Sequence, residues 1–376
     1  MDVQTILDEA VAAGVAPGMV AAAIAPGGAR LSASAGVRGV DNPAPMGADT
    51  VFWIASLTKA VTTVAALQMV ERGLVGLDEP LGGRLPALAA PRLLSGFDAD
   101  GKPVITTATR PVTLRALLTH TAGFGYEFFS DDLARYAAAR TAPAGWGHEP
   151  DSPLLFEPGE RWQYGIGVDW AGRLVETLSG QSLDAYMAQH IFGPLGMADT
   201  SFFPDAALAA RKASVHQRLP DGGVVAIPFG MPPAPYFSMG GGGLYSTAGD
   251  YLTFLSAILA GGAGILQSPT AALMGQNHIG EIGAGVLKSS NANLTNDFEP
   301  MPGGGQRHGR GFLLNQTALP GGRSAGSLAW AGLANCYYWA DPTTGVAGVL
   351  MAQVLPFADP RVLETFDAFE RAVYAS

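Results

Sequence analysis

The run Ala60-Val-Thr-Thr-Val-Ala-Ala-Leu-Gln-Met-Val70 constrains this chain more than any other segment. It has the length and composition of a helix but no polar face. A helix that is apolar nearly all round belongs in the middle of a protein rather than on its surface. Arg72 and Gly73 close it as a C-cap pair. Just upstream, the extended apolar run Val51-Phe-Trp-Ile-Ala55 leads in through Ser56-Leu-Thr-Lys59. Whatever fold forms must be built around this strand-to-helix junction.

The junction also carries chemistry. Residues three apart in a first helical turn share a face, so the Lys59 amine can reach the Ser56 hydroxyl and help remove its proton. The positive end of the helix dipole favours the alkoxide and any oxyanion formed beside it. With four lysines and nineteen serines in the chain, about 0.2 matches to S-x-x-K are expected by chance. The competing reading is that Ser56 merely caps the helix while Lys59 reaches to solvent. Against it, a lysine at the start of a buried helix needs a reason to be there.

At 376 residues the chain can bury a large core in two lobes. A formal charge of −10 argues against nucleic acid or an anionic membrane as partner. The single cysteine, Cys336, leaves no internal disulfide and reads as a buried thiol. The acidic, amphipathic start has no signal-peptide pattern, and no run is long enough to span a membrane, so a cytoplasmic location is expected.

Helices are expected at about Asp2–Ala13, in the short stretches Leu114–Leu118, Asp131–Ala139, Asp169–Leu178 and Leu183–Ile191, at Thr247–Leu259 and at Pro360–Tyr374. Strands are expected at Gly18–Ala25 and Arg30–Gly36, and again from Val215 onward; residues 80–112, rich in proline, read as loop. Strands at both ends with helices between them imply one sheet built from both termini. The expected division is a discontinuous α/β sheet domain, 1–80 with 215–376, and a mostly helical lobe, 81–214, with a cleft between them.

A nucleophilic serine needs a base, an oxyanion hole and a pocket. Tyr164, after the Pro158-Gly159 turn, is the best partner for Ser56: a nearby ammonium favours its phenolate, a workable base. The alternative is a packing tyrosine beside Trp162 and Trp170. In Ser327-Leu-Ala-Trp-Ala-Gly-Leu333, a glycine inside a strand marks close approach of a ligand or another backbone. That edge could aim the Leu333 N–H at an acyl oxygen, with the Ser56 N–H as second donor. Gly322-Arg-Ser-Ala-Gly326 has the form of a hydrolase nucleophile elbow, but no helix pattern follows it and the last histidine, His308, precedes it. His120, in Leu118-Thr-His-Thr-Ala-Gly-Phe124, reads as a turn histidine, and the six histidines form no metal-ligand pair.

Together these pieces resemble the class C β-lactamase-like serine hydrolases, and among them the family VIII carboxylesterases. The resemblance runs from about Ile6 to Tyr374. It rests on Ser56-Leu-Thr-Lys59, Leu117-Leu-Thr-His-Thr-Ala-Gly123, Phe156-Glu-Pro-Gly-Glu160 leading to Tyr164, Gly240-Gly-Gly-Gly-Leu-Tyr-Ser-Thr247, Trp330-Ala-Gly332 and Tyr338-Trp-Ala-Asp-Pro342. It implies an α+β fold of the β-lactamase/transpeptidase type, an antiparallel sheet flanked by helices with an inserted mostly helical lobe. Two departures stand out. Where true β-lactamases of this class carry Tyr-x-Asn and Lys-Thr-Gly, this chain has Ile166 and Trp330-Ala331-Gly332. Losing the Asn and Lys that grip a β-lactam suits a neutral ester.

The expected activity is therefore ester hydrolysis through an acyl-enzyme on Ser56, with Lys59 and Tyr164 as catalytic partners and the Ser56 and Leu333 N–H groups as oxyanion hole. Phe124, Tyr126, Phe128, Tyr236, Phe237, Trp330 and Gly332 are the expected walls for a short to medium ester. Neither metal nor organic cofactor is implied. Acyl transfer and amide or β-lactam hydrolysis are the alternatives on the same fold, and a catalytically dead binding protein is the alternative from another class.

Overall fold

A computed structural model describes residues 2–139, 151–231, 237–300 and 305–376. The chain opens with helix α1 (Val3–Ala12), capped by the Asp2 carboxylate accepting from the Thr5 N–H at 2.9 Å. Strands β1 (Gly18–Ile24), β2 (Arg30–Gly39) and β3 (Asn42–Pro45) follow. Five more strands come from the other end of the sequence: β4 (Gln306–His308), β5 (Leu313–Asn315), β6 (Leu328–Gly332), β7 (Cys336–Ala340) and β8 (Ala347–Met351). All eight form one antiparallel sheet in the order β4-β5-β6-β7-β8-β1-β2-β3. The termini are thus stitched together, with Val20 opposite Met351 and Ile24 opposite Ala347. This is the expected β-lactamase/transpeptidase-type architecture.

Strand β1 is buried along its whole length because helices cover both faces. Helix α4 (Ala248–Leu259) packs on β1 and β8 from one side; α1 and the C-terminal helix α5 (Pro360–Tyr374) close the other. Helix α2 (Thr58–Glu71) is the central element, with every residue from Thr58 to Met69 buried. Its few polar side chains are all partnered: Thr62 Oγ1 donates to the Gly240 carbonyl at 2.7 Å, and Gln68 accepts from the Tyr186 hydroxyl at 2.8 Å. Burying them therefore leaves little cost unmet. Helix α3 (Gly167–Ser179) lies against α2.

Several expectations need correction. Residues 80–112 are not all loop: Arg92–Phe97 and Pro103–Thr107 form a hairpin. A short helix, Ser268–Met274, adds to the one at 248–259. The expected helix over 183–191 ends at Met187 and widens into a π turn, Ala188–Phe192. Strand Val215–Arg218 does not join the main sheet; it pairs with Val354–Leu355 and Val224–Ile227 in a small one. No helix among the described residues is long and apolar enough to cross a membrane. Cys336 is buried as expected, and burial pushes its thiol up to about 12.

The pairing of β7 with β8 places Gly348 opposite Trp339, and a Cβ on Gly348 would lie 2.2 Å from the indole ring. Gly348→Ala should therefore cost about 1–3 kcal/mol through overpacking, read as a lower denaturant midpoint at unchanged slope. Gly83→Ala, with nothing within 4 Å of the added carbon, is the control expected to stay near wild type.

Candidate active site

The approach to α2 is strained where function needs it. Phe52–Trp53 pairs with Tyr245–Ser246, and the Trp53 indole N–H donates to the Gly242 carbonyl at 2.8 Å. The backbone then turns through Ala55 at φ 45°, a left-handed conformation that is costly for alanine. A 3₁₀ turn, Ala55–Leu57, runs straight into α2 and sets Ser56 at its N-terminal end. Strand β6 comes up against this turn: a Cβ on Gly332 would sit 2.5 Å from the Ile54 carbonyl oxygen. The glycine in the strand does mark a close approach, and the neighbour is the backbone that carries the nucleophile.

Lys59 is only 2% exposed. Its Nζ donates to the Gly241 carbonyl at 2.6 Å, the Tyr126 hydroxyl at 2.9 Å and Ser56 Oγ at 3.2 Å. Three N–H groups thus meet three acceptors. The amine also lies 4.7 Å from the Tyr164 ring centroid. The Tyr164 hydroxyl hydrogen-bonds Ser56 and accepts from the Trp330 indole N–H at 3.1 Å. Serine and lysine from one helical turn, and tyrosine from a distant segment, converge on one point.

Asp169, in the first turn of α3, is a functional candidate that the sequence reading passed over. It is 3% exposed, and its Oδ1 accepts from the Gly241 N–H at 2.8 Å. The Gly241 residue therefore touches Lys59 through its carbonyl and Asp169 through its N–H. Only glycine fits between them, because a Cβ there would lie 2.4 Å from Asp169 Oδ2. Burial lowers the Lys59 amine from its usual range to about 7, while the Asp169 charge works to hold it up. Burial raises the Asp169 carboxyl, and the Lys59 charge restrains that rise. Burial also pushes both the Tyr164 and Tyr126 hydroxyls upward, so the phenolate form of Tyr164 is disfavoured in the resting site.

The pocket at Ser56 is lined by Tyr126, Phe128, Phe129, Tyr164, Trp330 and Leu333, together with Leu287 and Phe357. Of the expected walls, Tyr126, Phe128 and Trp330 are there, but two do more than wall. Tyr126 is a hydrogen-bond partner of Lys59, and Trp330 spends its N–H on Tyr164. Phe124 is not a wall: it is buried beside Trp170, ring centroids 6.2 Å apart. Phe237 instead lies near the Arg173 guanidinium, 5.5 Å from the ring centroid. Gly332 serves the backbone approach described above, and Tyr236 lies outside the described residues. Phe129, Leu287 and Phe357 were missed; the last two reach the pocket from loops far along the chain.

His120 sits in a left-handed turn at φ 57°, and its carbonyl accepts from the Gln163 N–H at 2.9 Å, next to Tyr164. Its ring packs 4.9 Å from that of Tyr164, and burial holds it far below the usual imidazole range. Ser324, the decoy, precedes a strand and not a helix; its N–H is held by Asp341 at 2.9 Å.

A match to the Beta-lactamase family extends over residues 3–372. The chain belongs to that family. Within it, lovastatin esterase of Penicillium rubens is similar at 33% identity over 346 residues, covering 88% of this chain and 86% of that protein. Monacolin J acid methylbutanoyltransferase of Aspergillus terreus is 33% identical over 362 residues, covering 88% and 83%. Among solved structures, a variant of simvastatin synthase from Aspergillus terreus matches with a TM-score of 0.86 at 30% identity, covering 99% of this chain and 96% of that one. The first two names describe chemistry on esters or acyl groups, the reaction class expected of a β-lactamase-family serine hydrolase.

The Asp169 charge raises the proton affinity of Lys59, so removing it lowers that affinity. Asp169→Asn, nearly isosteric, should shift the acid limb of the kcat/KM profile for an ester to lower pH. An unmoved limb in a folded variant would show that the carboxylate does not act on Lys59.

Proposed function

We infer that this protein is a serine carboxylesterase acting on short to medium neutral esters through an acyl-enzyme on Ser56. One observation carries the reading: a buried, depressed lysine amine 3.2 Å from the serine hydroxyl, closed in by aromatic side chains. A neutral Lys59 takes the Ser56 proton as Oγ attacks the ester carbon. Tyr164, hydrogen-bonded to Ser56, keeps its own proton at rest and relays protons between Lys59 and the departing alcohol. This assignment moves the base role from the phenol to the amine, because burial favours the uncharged forms of both. The Ser56 and Leu333 N–H groups hold the oxyanion. The C–O bond to the alcohol breaks, Lys59 returns the proton through Tyr164, and the acyl group stays on Ser56. Water, activated by the same pair, then releases the acid.

Acyl transfer is the second reading, supported by the similar methylbutanoyltransferase. It differs only in whether an alcohol or water attacks the acyl-enzyme. Ile166 and Trp330 leave no Asn or Lys to hold a β-lactam carboxylate, so nitrocefin turnover should be slow beside ester turnover. The substrate is a small molecule, and a cytoplasmic location fits the sequence.

The test is turnover of p-nitrophenyl acetate, butyrate and octanoate, with products analysed after adding a primary alcohol. Free acid as main product supports the esterase. An ester of the added alcohol as main product makes it a transferase. No turnover and no labelling by a fluorophosphonate would leave a binding protein and sink both enzymatic readings.

A further inference from the structure

The two N–H groups that hold the oxyanion, on Ser56 and Leu333, both lie in turns. Among the described residues neither has a protein acceptor. Nothing on the pocket side therefore fixes their direction. Both peptide units are trans, and in a planar trans peptide the C=O and N–H point in opposite directions. Anchoring the Ala55 carbonyl thus aims the Ser56 N–H, and anchoring the Gly332 carbonyl aims the Leu333 N–H.

We propose that Thr58 and Asn335, neither of which lines the pocket, are the positioning residues that set the oxyanion hole from behind. The inference rests on the esterase reading of Ser56.

Thr58 is fully buried in the first turn of α2. Its Oγ1 accepts from the Leu244 N–H at 3.1 Å and donates to the Ala55 carbonyl at 2.6 Å. The Thr58 N–H is shared between the Ala55 and Ser56 carbonyls, so the hydroxyl is the dedicated anchor of this peptide. An anchor is needed because Ala55 sits at φ 45°, and a left-handed alanine persists only where its surroundings over-determine it. Relaxation of Ala55 would rotate the peptide and swing the Ser56 N–H off the acyl oxygen.

Asn335 does the matching task at the end of β6. It lies in the turn to β7 at φ 59°, a conformation asparagine tolerates, and its N–H donates to the Gly332 carbonyl at 2.9 Å. Its side chain, fully buried, locks it there. Nδ2 donates to the Val354 and Pro356 carbonyls at 2.7 and 2.8 Å. Oδ1 accepts from the Tyr337 hydroxyl at 2.6 Å and the Asp359 N–H at 3.1 Å. An asparagine amide has two donors and accepts two bonds, so its capacity is fully used.

The consequence is catalytic. As Ser56 Oγ bonds to the ester carbon, its proton passes to Lys59 and the carbonyl π pair moves onto oxygen. Two donors already aimed at that oxygen stabilise the charge without reorganising.

The experiment follows p-nitrophenyl butyrate turnover beside inhibition by propyl trifluoromethyl ketone, whose adduct with Ser56 puts an alkoxide in the same hole. Thr58→Val keeps the branching and removes the hydroxyl. Its kcat should fall about tenfold to 10²-fold, with KM changed less than about threefold. Inhibition by the ketone should weaken by the same factor. The acid limb of the pH profile should stay in place, because Lys59 is untouched. Thr58→Ser, which retains the hydroxyl, should recover most of the lost rate. Asn335→Gly keeps the left-handed backbone and its N–H but loses the side-chain anchors. It should show the same paired loss, and it carries the test if Thr58→Val does not fold. A loss of kcat without a loss of inhibition, a moved acid limb, or a serine variant as slow as the valine one would overturn the proposal. So would wild-type kinetics in either folded variant. A wild type with no ester turnover would overturn the esterase reading as well, whereas these variant outcomes in an active wild type bear on the positioning alone.

Discussion

Ser56→Ala should abolish ester turnover and fluorophosphonate labelling together, with kcat down by at least about 10³-fold. The substitution removes the atom that bonds to the acyl carbon and little else. Lys59 keeps the Gly241 carbonyl and the Tyr126 hydroxyl as partners, and Tyr164 keeps Trp330, so the fold and the pocket survive. Circular dichroism and the denaturation midpoint should match wild type. Ser324→Ala is the matched control. The Ser324 backbone is tied into the loop, its N–H bonded to Asp341 and its carbonyl accepting from Asn315 and Ser327, so its hydroxyl can go without loss of activity. Turnover surviving in Ser56→Ala but falling in Ser324→Ala would reverse the assignment.

The catalytic centre was legible in the sequence where its geometry is local. Ser56 and Lys59 are three residues apart on one helix, and the apolar character of α2 announces its burial, so spacing alone predicts their meeting. Tyr164 needed the resemblance, since nothing local distinguishes it from a packing tyrosine. Asp169 and Gly241 were invisible for a different reason. Their contact depends on how α3 and the 240–243 glycine loop are set on either side of Lys59, and no periodicity encodes that. The aromatic segment 124–129 shows the same limit at short range. Tyr126 and Phe128 face the pocket while Phe124 turns to the core, because an irregular loop interrupted at Gly123 (φ 97°) does not alternate its faces as a strand would.

The missed elements have equally local causes. Pro103 suggested a loop, yet it is the first residue of its strand, where the lost N–H does no harm. The helix at 268–274 is short and carries Pro269 near its start, a position that tolerates proline but gives little apolar periodicity to read. The single sheet was legible because strand patterns at both ends have nowhere else to pair. The small sheet that captures Val215–Arg218 was not, because its partner Val354–Leu355 is only two residues long.

Lys59 offers the second large effect and separates a base from a charge. Lys59→Met keeps the length of the stem but removes the amine, and kcat should fall about 10³–10⁴-fold with KM changed far less. Lys59→Arg should be as inactive, although it retains a cation, because a guanidinium cannot give up its proton in the working range. If Lys59 served only to hold a positive charge near Tyr164, the arginine variant would keep substantial activity, and that outcome would restore the phenol as base. The same residue leaves a mark on stability. Burial lowers the amine from its ordinary value of 10.5 to about 7 in the folded protein. Between those two values the unfolded chain binds the extra proton and the folded one does not. Stability therefore rises with pH across that window and gains nothing further above it. Lys59→Met lacks the titrating group, so wild type should gain on it steadily from about pH 7 upward. Denaturation midpoints of the two proteins at pH 6.5 and 9.5 (arbitrary points on either side of about 7) read the difference directly. The same shift that makes the amine a base at neutral pH is then a measurable cost to the fold below it.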